Sequence, residues 1–252
     1  MAGNNELTGK VAIVTGAGRN IGRAIALALA EDGASVVVNV RSNRAEAEAV
    51  AREIEAKGGK ALVHLGDVAD AAAVQAMADA ATRQFGRIDI LVNNAALRRE
   101  KPFADMSYAE WREIMDVTLD GTFHCVKACL PHLRKSGTGT IVNIGGLSAH
   151  TGARDRAHVV TAKAGIVGFT RALAHDLAAD GITVNCVVPG LIGTPRPKGR
   201  PEPAHHLTHQ TITGARGRPE DVAAAVRFLC SPAARYINGQ AIHANGGAYL
   251  GS

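Results

Sequence analysis

Seven short runs of β-branched and aliphatic residues recur along this chain, separated by six longer stretches with apolar residues at helical spacing. That alternation constrains the fold more than any other feature. The runs are Val11 to Thr15, Ser35 to Val40, Ala61 to Leu65, Ile88 to Val92, Thr140 to Ile144, Ile182 to Val188 and Gln240 to Ala244. Most are continuously apolar rather than alternating, which marks strands covered on both faces, as in a parallel sheet. Between them the spacing predicts helices over Ile21 to Asp32, Asn43 to Lys57, Ala71 to Gly86, Tyr108 to Lys135, Val159 to Asp180 and Pro219 to Ser231. Strands and helices in strict alternation predict a doubly wound α/β fold: a seven-stranded parallel sheet with helices on both faces. With 252 residues and no visible linker, repeat or low-complexity tract, the whole of 1–252 reads as one domain.

Composition narrows the function classes. Hydrophobic residues make up 46% and charged residues 20%, the balance of a chain that folds. Aromatics are only 4%, too few for base stacking, and 28 Lys and Arg against 23 Asp and Glu leave +5 scattered without a basic run, so no nucleic-acid partner is expected. Cys125, Cys129, Cys186 and Cys230 show no C-x-x-C spacing and read as reduced, buried thiols, with no metal site expected. The N-terminal stretch has no apolar core and no apolar run approaches about 18 residues, so the expectation is a cytoplasmic protein without a membrane partner.

The first strand runs into Thr15-Gly16-Ala17-Gly18-Arg19-Asn20-Ile21-Gly22 and then a helix. Glycines at 16 and 22 permit a sharp turn and close approach of helix to strand, and the helix N-terminus offers free N–H groups and a positive dipole end to a pyrophosphate. In the first βα unit of a Rossmann fold such a turn points to a dinucleotide. NAD sites usually carry an acid at the end of the second strand to hold the ribose 2′-hydroxyl. Here that strand ends Val38-Asn39-Val40-Arg41-Ser42, with no acid to repel a phosphate. Arg41 and Arg19 are positioned to hold a 2′-phosphate by charge-assisted hydrogen bonds, so NADP is expected over NAD. Gly193 to Gly217, rich in Pro, His, Arg and Thr, follows a strand carboxyl end where ligands bind in such sheets, and reads as a substrate lid over 193–217.

Several further motifs stand in order along nearly the whole chain: Asp67-Val68, Asn93-Asn94-Ala95-Ala96, Lys163-Ala164-Gly165, Asn185 through Pro189-Gly190 to Thr194, Gly217-Arg218-Pro219-Glu220-Asp221, and Gly239-Gln240 to Gly246-Gly247. Together with the glycine turn, these make a chain that resembles the short-chain dehydrogenase/reductases and, within them, the 3-oxoacyl-carrier-protein reductase type. The resemblance implies a nicotinamide nucleotide bound by Gly16, Gly18, Arg19, Asn20, Ile21 and Gly22 at the pyrophosphate turn. It implies Asp67 and Val68 at the adenine, Asn94 and Ala95 beside the adenosine ribose, and Pro189, Gly190, Ile192 and Thr194 at the nicotinamide. Asn20 stands where the family has a third glycine, a change that left-handed geometry tolerates. A homotetramer is also implied.

The family's catalytic Asn, Ser, Tyr and Lys are another matter, for only Lys163 is present. Four residues before it the Tyr position holds Val159, thirteen further back the Ser position holds Gly146, and seven after Trp111 the Asn position holds Thr118. Hydride delivery to a ketone creates an alkoxide that needs a proton or donors, and Val159 and Gly146 supply neither. Acid help is worth about 10²–10⁴ in rate, so ordinary ketones should be poor substrates. Lys163 keeps a hydrogen bond to the nicotinamide ribose. Candidate substitute donors are His158, Ser148 and His150, the last two on a segment with Arg154, Asp155 and Arg156, and in the lid His205, His206 and His209. On a helix His158 points about 100° away from Val159, so its use requires a displaced substrate. Three readings stay open: an NADP-dependent carbonyl/alcohol oxidoreductase on an unidentified small molecule with a non-standard active site, a redox-inactive NADP-binding protein or partner subunit, and a lyase or isomerase reusing the cleft.

Overall fold

The computed structural model describes residues 5–194, 206 and 210–251. Seven parallel strands form one sheet in the order β3-β2-β1-β4-β5-β6-β7. They are β1 (Val11–Val14), β2 (Ser35–Val40), β3 (Lys60–Leu65), β4 (Ile90–Asn93), β5 (Thr140–Ile144), β6 (Thr183–Pro189) and β7 (Ala241–Ala244). Each falls on an apolar run read from the sequence, within two residues at either end. Val11 pairs with Ser35 and Ala12 with Ile90, so β1 is flanked by β2 on one side and β4 on the other. The chain reaches β3 at one edge and then crosses β1 to begin β4. That reversal opens a crevice at the strand carboxyl ends, the place where ligands bind in open sheets.

Helices cover both faces. On one lie α1 (Asn20–Glu31), α2 (Arg44–Ala56) and α8 (Pro219–Cys230), whose Ile25, Leu29, Val50, Val222 and Val226 pack with Val14, Val36 and Val38. On the other lie α3 (Ala71–Phe85), α5 (Gly121–Ser136) and α7 (Ala157–Asp176), whose Met77, Cys129, Leu133 and Ala174 pack with Ile13, Val37, Leu91 and Ile141. Alternate residues of β1 and β2 thus feed two separate cores, as the two-residue period of a strand requires. All four cysteines are free and buried within this packing.

Helix starts follow local chemistry. Asn43 caps α2 through Glu46 N–H, Asp70 caps α3 through Ala72 and Ala73 N–H, and Pro219 opens α8 at a position where no N–H is needed. The stretch expected as one helix from Tyr108 to Lys135 is instead α4 (Tyr108–Met115), a π-helical turn (Asp116–Asp120) and α5. A capping box, Ser107 with Glu110, starts α4. The π-turn inserts a residue without breaking the helical apolar pattern, so side-chain spacing does not announce it. A short helix, α6 (Ser148–Thr151), follows β5. Helix α7 ends at Asp176, and a 3₁₀ turn at Ala178–Asp180 completes the stretch expected to run to Asp180. Among the described residues no helix is long and apolar enough to cross a membrane.

Candidate functional site

A cleft of about 490 Å³ opens at the carboxyl ends of β1, β2 and β4, the crevice created by the reversal of strand order. Its floor is the glycine turn. Gly16 takes φ +61° and Asn20 φ +51°, so the asparagine adopts the left-handed backbone that a glycine would supply. A Cβ on Gly22 would press into the Gly16 carbonyl oxygen and lie 2.5 Å from Asn94 Nδ2. Asn94 explains the closeness: its Nδ2 donates to the Thr15 and Gly16 carbonyls at 2.9 and 3.0 Å, while Asn94 N and Ala95 N both donate to Thr15 Oγ1 at 3.0 Å. Asn94 and Ala95 therefore clamp the turn as well as lining the cleft. Arg19 precedes α1 in extended conformation and no side chain among the described residues caps the helix, whose first residues, Asn20, Ile21 and Gly22, line the cleft.

The wall beyond the turn comes from β2 and β3. Buried Asn39 donates through Nδ2 to the Gly66 carbonyl at 3.1 Å and accepts from Ala17 N–H at 2.8 Å, which ties the glycine turn to the ends of both strands. Arg41 and Arg19 line the same wall, both exposed and neither with an ion-pair partner among the described residues. Asp67 and Val68 close the far side; Asp67 Oδ1 is engaged by Ala69 N–H at 3.0 Å, and Val68 packs on Gly121, where a Cβ would stand 2.7 Å from Val68 Cγ2.

Glu46 lines this cleft too. No acid stands at the end of β2, but Glu46 reaches the same wall from the first turn of α2. Local spacing gives one signal: Asn43-x-x-Glu46 has the geometry of a helix start, yet the Glu46 side chain does not return to the cap. Only Gly18, lacking a side chain, leaves room, since a Cβ there would lie 3.2 Å from Glu46 Cβ and 3.4 Å from Glu46 Oε2.

At the β5–β6 end, Leu147 N–H donates to the Pro189 carbonyl at 3.0 Å, and Gly190 N–H to the Ala244 carbonyl at 3.0 Å. A Cβ on Gly190 would meet Asn245 Cα at 2.6 Å, so only glycine fits. Ile192 pairs with Gly217, Gly193 N–H donates to the Gly217 carbonyl at 2.8 Å, and Gly217 N–H to Leu191 at 3.0 Å. The segment 193–217 thus leaves and returns at one pinned base, beside Thr194, which lines the cleft. Of its histidines only His206 falls within the described residues; His205 and His209 lie outside them.

Lys163 is buried on α7, 6% exposed, and donates to the Ile144 carbonyl. No carboxylate pairs with it among the described residues. Burial, and after it the Arg98 and Arg156 charges, push its amine down to about 7, a fall that the nearby Cys186 only partly opposes. A Cβ on Gly146 would touch only Lys163 Cγ, at an ordinary 3.7 Å. Val159, one turn before Lys163, packs with Ile114, Met115, Ala162, Leu97 and Trp111. Thr118 sits in the π-turn, buried, its hydroxyl oxygen without a partner.

The proposed substitute donors are scattered around this point. His158 is fully buried and feels Arg156, Glu110 and Arg99, with burial holding its imidazole below the ordinary range. His150 stacks against His243 and Tyr249 at ring-centroid separations of 4.6 and 5.3 Å, and burial followed by Arg171 lowers it. Neither histidine is among the groups whose charge reaches Lys163. Ser148, at the start of α6, is buried, while Arg154 turns outward to an ion pair with Asp155 at 3.6 Å. Among the described residues no cluster of three or more His, Cys, Asp or Glu is arranged to hold a metal.

A glycine-floored crevice at the reversal point of a parallel sheet, behind an uncapped helix N-terminus, defines a dinucleotide-fold protein of the doubly wound class. The chain belongs to the short-chain dehydrogenase/reductase family. Residues 16–249 match the family profile described as enoyl-(acyl carrier protein) reductase. The chain is 41% identical over 242 residues to the 3-oxoacyl-(acyl-carrier-protein) reductase FabG of Staphylococcus aureus, covering 96% of this chain and 98% of that protein. It is 42% identical over 247 residues to the 3-oxoacyl-(acyl-carrier-protein) reductase of Synechocystis, covering 97% and 98%. Among solved structures, a Burkholderia cenocepacia short-chain dehydrogenase in complex with NADP superposes with TM-score 0.90 at 36% identity, covering 96% of this chain and 99% of that one. A dehydrogenase/reductase from Sinorhizobium meliloti gives TM-score 0.92 at 33% identity, covering 98% and 97%.

Proposed function

We propose that this protein is an NADP-dependent oxidoreductase that interconverts a carbonyl and an alcohol in an active site from which most of the family's acid–base side chains are missing. The observation that carries the reading is the cleft, where glycine turn, uncapped helix N-terminus and two arginines without ion-pair partners among the described residues converge. Those features fit a phosphorylated dinucleotide. Gly16, Gly18, Asn20, Ile21 and Gly22 would hold its pyrophosphate and Arg19 with Arg41 its 2′-phosphate. Asp67 and Val68 would meet the adenine, Asn94 and Ala95 the adenosine ribose, and Pro189, Gly190, Ile192 and Thr194 the nicotinamide. The bound nucleotide supplies or accepts a hydride. Its relatives' names make oxoacyl thioesters the first substrates to try.

The protein's own contribution centres on Lys163, which would hold the nicotinamide ribose and, with its amine near 7, gains or loses a proton at Nζ at neutral pH. Val159 and Gly146 bring no hydroxyl to the reacting carbonyl, so the substrate is an activated one that needs little acid help. The 193–217 segment acts as the lid, and a cytoplasmic homotetramer completes the reading by family analogy.

A second reading, a redox-inactive NADP-binding partner subunit, is favoured by the packing of Val159, whose side chain serves an apolar cluster. Fluorescence titration with NADPH and NADH, followed by nicotinamide absorbance with ketones, diketones and oxoacyl thioesters, separates the two. Binding with turnover supports the enzyme, binding without turnover across the panel supports the partner subunit, and no binding refutes both.

A further inference from the structure

We propose that Glu46, reaching the cleft from α2, sets the margin by which the protein prefers a 2′-phosphorylated nucleotide, acting as a carboxylate counterweight to Arg19 and Arg41 in one pocket. The inference rests on the nucleotide-binding reading above and concerns only which form the pocket selects. The three side chains line the same wall, and none has an ion-pair partner among the described residues. Glu46 is half-buried and its side chain is not used for capping, a duty that falls to Asn43 alone. Its Oε2 stands 3.4 Å from where a Gly18 side chain would begin, directly beside the glycine turn.

The two nucleotide forms differ at one atom of the adenosine ribose. A 2′-phosphate brings about two negative charges, which the guanidinium groups attract and the carboxylate repels. A 2′-hydroxyl brings a hydrogen-bond donor, which a carboxylate accepts and a guanidinium cannot. One pocket therefore carries the recognition chemistry for both forms. The arginines outnumber the glutamate, so the phosphorylated form wins, with Glu46 narrowing the gap and keeping the unphosphorylated form within reach.

The test is the ratio of dissociation constants for NADPH and NADH, measured by fluorescence titration on the wild-type chain, Glu46→Gln, Glu46→Lys and Arg41→Ala. Glu46→Gln removes one repulsion from NADPH and one charge-assisted hydrogen bond from NADH, and at the strength of partly exposed charges it widens the NADPH preference about five- to tenfold. Glu46→Lys widens it further, and Arg41→Ala narrows it. Raised salt shrinks the Glu46→Gln effect on NADPH more than that on NADH. A ratio unchanged in both Glu46 variants, with NADPH still bound, overturns this proposal alone. Failure of the wild-type chain to bind either nucleotide overturns the functional reading and this proposal with it.

Discussion

Replacing Lys163 by methionine removes a buried charge from α7 while keeping most of the aliphatic stem, and the structure sets both the sign and the size of the effect. The amine is 6% exposed and held near 7, against an ordinary 10.5, by burial first and by Arg98 and Arg156 after it. In the unfolded chain the same amine titrates near its ordinary value. Between those two values the unfolded state binds more protons than the folded one, so stability rises with pH. Below about pH 7 both states carry the proton, and the folded state bears the full burden of a buried ammonium without a carboxylate; that burden fades as pH climbs toward the unfolded value. From about pH 6 to about pH 9 the wild-type chain thus gains roughly 2–3 kcal/mol, at about 1.4 kcal/mol per proton and pH unit, and the methionine variant has no such group to titrate. Losing the bond to Ile144 costs the variant about 1 kcal/mol at every pH. The variant is therefore the more stable protein at the acid end, and its margin falls toward the alkaline end. Urea titrations of both nucleotide-free proteins across that range, at fixed salt, give the difference directly. A difference that stays constant with pH refutes the reasoning, since Lys163 would then keep an ordinary amine.

Gly22→Ala drives a methyl group into the Gly16 carbonyl and Asn94 Nδ2, so it destabilises the fold by about 1–3 kcal/mol in thermal or urea unfolding and abolishes NADPH binding in the fluorescence assay. Gly146→Ser combined with Val159→Tyr returns a hydroxyl pair beside Lys163. A Cβ at 146 makes only an ordinary contact, so the serine enters without strain, and turnover of an oxoacyl thioester with NADPH rises by about 10² or more; an unchanged rate refutes the view that those two side chains limit chemistry.

Much of this architecture was legible in the amino-acid order because the rules involved are local. Continuous β-branched runs such as Val36-Val37-Val38, too short for a helix, mark strands buried on two faces, and Asn43, Asp70 and Pro219 mark helix starts through groups within three residues. The glycine turn was legible for the same reason, down to the left-handed Asn20. What escaped was set by contacts between distant segments. Glu46 shares a wall with Arg19 because α2 packs beside the turn, and no spacing rule connects positions 18 and 46. The π-turn at Asp116–Asp120 preserves the helical apolar pattern on either side. The contacts of the His150 ring are of the same kind, edge-on to His243 and tilted against Tyr249, both far along the chain.

The paired bonds between Gly193, Leu191 and Gly217 act as a staple at the foot of the excursion that follows β6. Because lengthening a loop whose ends are already joined adds little entropic penalty, about 0.6 kcal/mol per doubling, residues beyond the staple are free to vary in number and chemistry while β6 and α8 stay where they are. The proposed lid is in that sense an exchangeable part: transplanting the corresponding stretch from a relative should alter which molecules are admitted and leave the nucleotide grip intact.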